Sequence, residues 1–140
     1  WMYTYPGKVE PLLARHKEWL YHFGAYRIHP QSSNIAGFKI HIRSGDVIQR
    51  YHSDNPQHIF SGGALSQNGD CAIGALGATG SPAAILALDS NFKRKGELTT
   101  SLHPWTDLIW IGPDEIAYTG GININSQSHK RPGFEKLRLQ

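Results

Sequence analysis

The chain has 140 residues, enough for one domain with a single modest core, and its 39% hydrophobic content excludes a disordered chain. A formal charge of +3 tolerates anionic partners but falls short of a dedicated nucleic-acid clamp. Cys71 is the single cysteine, which excludes an intrachain disulfide and a thiolate metal cage, and no apolar run reaches the ~18 residues of a membrane span.

The chain begins at Trp1 without a preceding Met, which fits a processed chain or a piece of a longer one. A helix is expected over about 11–23. Pro11 suits a first turn, Gly24 a stop, and Leu12, His16, Trp19, Leu20 and Phe23 share a face at helical spacing. Gly37 to His52 reads as a hairpin around Ser44-Gly45, with Arg43 opposite Asp46 and Lys39 opposite Arg50. That register sends Phe38, Ile40, Ile42, Val47 and Tyr51 to a core. It leaves Lys39, His41, Arg43, Arg50 and His52 on a basic outer face.

A polar turn region containing Asp54-Asn55-Pro56 follows, and then a β-rich pattern appears twice. The first copy carries Leu65-Ser66-Gln67-Asn68-Gly69-Asp70, Cys71 to Leu76 and Ala83 to Asp89. The second carries Thr106 to Ile111, a Gly112-Pro113-Asp114 turn, and Glu115 to Gly121. Asn91 to Gly96 between them reads as a basic hairpin tip. Ile122 to Asn125 continues a strand, and Phe134 to Leu139 alternates well enough for a closing one. The expected architecture is one domain over 1–140, mainly β, with a β-rich core over about 37–139. It is drawn as a small antiparallel sandwich or propeller-like blades with one N-terminal helix.

Chemistry has weak fingerprints here. His52 and His58 stand six apart with Asp54 between them and His41 on a neighbouring strand, but no tight histidine pair is present, so no metal or cofactor is expected. A metal-independent nuclease of toxin type would draw its base, acid and phosphate-holding cations from His41, His52, Arg43 and Lys39, with nucleic acid as its partner. Cys71 reads as a small buried apolar residue. The glycine-rich stretch Gly74 to Gly80 is followed by Ser81-Pro82 and another strand, so no helix N-terminus is available for a phosphate. Its small side chains instead suit a loop that enters a cleft, with Thr79, Gly80, Ser81 and Pro82 as the binding residues.

The segment Gly62 to Asp70, with the strands ending at Leu88-Asp89-Ser90, resembles a β-propeller blade. In particular, Phe60 to Gly121 resembles the short immunity proteins that neutralise type VI secreted peptidoglycan amidases. That resemblance implies a bacterial, periplasmic or secreted protein whose Ser81 loop plugs the cleft of a secreted hydrolase. The sequence departs from that family in its lone cysteine, its basic charge and its unmatched first 58 residues. The leading expectation is therefore a non-enzymatic protein-binding module, inhibitor or immunity-like. The nuclease, and a structural fragment of a larger β assembly, stand as alternatives.

Overall fold

Short aromatic and aliphatic runs, broken by turn residues, form strands throughout the chain's computed structural model. It describes residues 12–29, 32–55, 57–77, 82–101, 103–124 and 129–139, without side chains at 26–29, 32–34, 103–106, 122–124 and 129–132. No described residue is helical. The first sheet is a meander of β1 (Leu12–His16), β2 (Trp19–His29), β3 (Ser32–His41) and β4 (Val47–His52). The second runs β5 (His58–Leu65), β6 (Cys71–Gly77), β7 (Ala84–Leu88) and β8 (Arg94–Thr99). The third joins β9 (His103–Gly112), β10 (Glu115–Ile124) and β11 (His129–Arg138). Every pairing is antiparallel between strands adjacent in sequence.

The second sheet lies between the other two. Side chains alternate across a strand, so Cys71, Ile73 and Ala75 enter one core while Ala72 enters another. The core shared with the first sheet gathers Tyr21, Phe23, Ile35, Phe60, Leu86, Leu88 and Phe92. The core shared with the third gathers Ala72, Ile85, Leu108, Ile116 and Tyr118. All five residues of β7 are consequently buried, and its sequence Ala-Ile-Leu-Ala-Leu is apolar throughout. Each fully buried Phe, Ile or Leu stabilises the fold by about 1.5–3 kcal/mol in transfer energy.

The expected N-terminal helix is replaced by a hairpin. β1 and β2 turn at Lys17-Glu18, with Lys17 in the left-handed region at φ 55°. The same residues also alternate, and the strand arrangement sends Tyr21, Phe23 and Ala25 inward to 0%, 0% and 5% exposure. A helix would place Tyr21 away from Trp19 and Phe23, so burial of this aromatic row against the second sheet overrides the helical spacing. Gly24, read as a stop, lies inside β2. Pro11 is outside the described residues.

The hairpin over 37–52 forms with a different register. β3 pairs Ile40 with Val47, Lys39 with Gln49, Phe38 with Arg50 and Ala36 with His52, with a bulge between Lys39 and Ile40. Its turn is wider than expected: the His41 amide donates to the Asp46 carbonyl at 2.9 Å, and Gly45 sits at φ 77°. Pairing with β2 sets Tyr21 against Lys39 and Phe23 against Gly37, so Lys39 shares the core-facing side and Phe38 faces away. A one-residue offset inverts every side chain of a strand. Gly37 is required in this arrangement, because a Cβ there would meet the Phe23 ring at 2.3 Å.

Both expected β-rich copies are sheets. The tip at Asn91 to Gly96, however, turns into β8, a fourth strand that its Lys and Arg content disguised. The Gly112-Pro113-Asp114 turn and the closing strand are present, the latter as β11.

Candidate functional site

The basic cluster assembled from the sequence is divided by the sheet. His41 shares its face with Lys39, whereas His52, directly opposite Ala36, lies on the other face. Ala36 and His41 stand five steps apart along β3, about 17 Å at the usual rise. Arg43 is exposed in the β3–β4 turn. The two imidazoles therefore do not converge on one phosphate.

Lys39 is 8% exposed. Its ammonium lies 5.2 Å from the Trp19 ring centroid and 5.4 Å from that of Tyr21, and it donates to the Ser90 carbonyl at 2.9 Å. Burial lowers its pKa, with Asp89 opposing the shift. This lysine is a tie between the first two sheets, occupied by its own protein. Burial likewise pushes the Tyr21 hydroxyl up to about 12 and the Cys71 thiol upward, and Cys71 is 0% exposed, an inert setting for a thiol.

His41, Ser44 and Asp46 meet in one turn, in an order unsuited to nucleophilic catalysis. Ser44 Oγ donates to Asp46 Oδ2 at 2.7 Å and lies 3.2 Å from His41 Nδ1, which also faces the Ser44 amide at 3.3 Å. A nucleophile needs the imidazole between hydroxyl and carboxylate. Here the serine occupies the middle and staples the turn. His58 is 2% exposed, with Nε2 3.2 Å from the Asn55 amide, while His52 is exposed. Among the described residues no three His, Cys, Asp or Glu side chains gather around a common point.

Of the expected binding loop, Thr79, Gly80 and Ser81 lie outside the described residues, and Pro82 is exposed. The loop joins β6 to β7, two strands of the central sheet.

The surface that sequence reasoning missed is the outward face of the third sheet. Leu108, Ile116 and Tyr118 face its core, so Ile109, Ile111 and Ala117 face away, together with Thr119 and Phe134, which pair directly. Ile109 is 59% exposed, Ile111 48% and Phe134 70%. Ala117, 3% exposed, lies between Ile109 and Lys136 in one row, and Thr119 lies beside Phe134 in the next. Glu115 shares this face, held by Arg138 at 2.6 Å and Lys136 at 3.4 Å. The signal was in the run Leu108-Ile109-Trp110-Ile111, which is apolar on both faces of its strand.

No known protein family, curated protein or solved structure matches the chain. Function rests on the geometry. No helix among the described residues is long and apolar enough to cross a membrane.

Proposed function

We propose that the chain is a non-enzymatic protein-binding module of propeller-like blades, whose third sheet docks against a further β-sheet. Successive four- and three-stranded meanders stacked face to face, with first strands β5 and β9 in the closest contact between sheets, favour the propeller-like description. One observation carries the docking reading. The outward face of the third sheet leaves Ile109, Ile111 and Phe134 59%, 48% and 70% exposed, beside the charged Glu115, Lys136 and Arg138. Within the same molecule, the comparable face of the second sheet is sealed, with Ala72 and Ile85 both at 0%.

The occupant we assign is the same sheet of a second copy of the chain, because exposed aliphatic and aromatic side chains of one sheet interdigitate with the rows of another about 10 Å away. Sedimentation velocity of the isolated chain tests this: it self-associates with rising concentration, and the Ile109→Lys, Phe134→Lys pair restores the monomer. A wild-type chain that stays monomeric across that range would overturn the reading. Inhibitor-like use of the Thr79-Gly80-Ser81-Pro82 loop is a second mode of protein binding, independent of the sheet face, with a secreted hydrolase as partner. In that mode Ser81→Arg abolishes a complex that the sheet-face variants leave intact.

A further inference from the structure

The second and third sheets also frame a cleft of about 340 Å³, at the small end of ligand-sized clefts (roughly 300–1,000 Å³). One wall is the β5–β6 turn with Gln67, Asn68 and Asp70. The other is the β9–β10 end with Trp110, Ile111 and Pro113.

Both walls are held by bonds made elsewhere. Trp110 Nε1 donates to the Ala64 carbonyl at 3.2 Å, which ties β9 to β5 beside the cleft. Lys95 Nζ lies 2.8 Å from Asp70 Oδ2 and 5.6 Å from the Trp110 ring centroid, bridging the walls from the β8 side. Within the turn, Ser66 Oγ accepts the Asn68 amide at 3.2 Å and the Asp70 amide at 3.0 Å. The backbone amides of Ser66, Asn68, Gly69 and Asp70 are therefore occupied, while the exposed side chains of Gln67 and Asn68 lie at the rim. Each side-chain amide offers two donors and an acceptor.

We infer that this cleft is a binding site for a neutral polyhydroxylated ligand, a saccharide unit. The mutual neutralisation of Asp70 and Lys95 removes the net charge that would select an ion. Amide groups and a carboxylate match vicinal hydroxyls, and Trp110, Ile111 and Pro113 provide apolar surface for the C–H face of a sugar ring. The site is independent of the docking face, since Ile111 alone borders both.

The test is a ¹⁵N-edited NMR titration of the folded chain with glucose, galactose and N-acetylglucosamine, each at millimolar concentration. At least one sugar shifts the Gln67 and Asn68 side-chain amides and the Trp110 indole N–H saturably. Asn68→Ala and Gln67→Ala, which remove exposed side chains and keep the turn's backbone amides, each weaken binding about three- to tenfold, the worth of one hydrogen bond between neutral groups. The inference is overturned if no sugar moves those signals, if the shifts survive both variants unchanged, or if only acetate, phosphate or a peptide produces them. The monomeric sheet-face variant keeps sugar binding, so failure here is distinct from failure of the docking proposal.

Discussion

Two turns of the second sheet share one hydrogen-bond scheme and differ at one decisive position. In the β5–β6 turn, the Ser66 amide donates to the Asp70 carbonyl at 2.8 Å, and Gly69 donates back to the Ser66 carbonyl at 3.1 Å. In the β7–β8 turn, the Asp89 amide donates to the Lys93 carbonyl at 2.8 Å, and Phe92 donates back to the Asp89 carbonyl at 2.9 Å. Each first residue caps its loop: Asp89 Oδ1 accepts the Asn91 and Lys93 amides as Ser66 Oγ accepts those of Asn68 and Asp70. The fourth residue is left-handed in both, at φ 84° for Gly69 and φ 64° for Phe92.

Glycine takes that conformation freely, whereas a side chain costs about 1–2 kcal/mol there. Phe92 offsets the cost by entering the core. It is 7% exposed and its ring meets those of Phe23, Tyr21 and Tyr51 at centroid distances of 5.0, 6.0 and 6.4 Å. Burial of an aromatic ring is worth more than the backbone strain. Identical turns are thus stabilised in two ways, one by conformational ease and the other by tertiary packing.

Substitution at Phe92 separates the two terms and has the largest expected effect. Phe92→Ala loses the ring but keeps the strain, and destabilises the chain by about 3–5 kcal/mol in urea unfolding. Phe92→Gly loses the ring and relieves the strain, so it costs about 1 kcal/mol less than the alanine variant. Equal losses from both would show that the left-handed backbone carries no strain. Gly69→Ala comes next, at about 1–2 kcal/mol from conformation alone. Its Cβ also meets His16 Nδ1 at 2.9 Å and the Tyr21 hydroxyl at 3.1 Å, so any relief requires both neighbours to move. A neutral outcome in thermal unfolding would mean the first hairpin yields at no cost.

The smallest effect concerns Lys39, which bonds the Ser90 carbonyl of one turn, whereas Lys95 bonds the Asp70 carboxylate of the other. Burial lowers its pKa, so the folded chain holds this proton less tightly than the unfolded chain. Between the folded value and the unfolded value of about 10.4, the unfolded state binds more protons, and stability gains a contribution that rises with pH. Below the folded value both states are protonated and the contribution is flat. Lys39→Met removes this rise while retaining much of the stem, and the difference between the two proteins across alkaline pH isolates it. Parallel profiles would sink the account.

Turn chemistry was legible at Asn68-Gly69-Asp70 and Gly112-Pro113-Asp114, because glycine and proline act locally. The Phe92 turn was not, since nothing in Asp-Ser-Asn-Phe-Lys announces a left-handed phenylalanine until the core that receives it is in place. Leu12 to Phe23 satisfied two periodicities at once, and only packing against the second sheet chose between them. The basic face failed for a related reason: the side of β3 that meets the core is set by β2, whose first residues, Trp19 to Phe23, also carry helical spacing. Among the site residues, the exposed Ile109 and Ile111 lay in a readable apolar run, but Phe134 joins them only through the β10–β11 pairing.

Alone, the amino-acid order determined a mainly β chain, its principal turns and a buried thiol, because each follows from short-range preference or composition. Tertiary structure decided which side of each strand meets a core, which lysine is enclosed and which apolar side chains are left bare. Those outcomes turn on register and layer order, and a strand acquires both from neighbours distant in sequence.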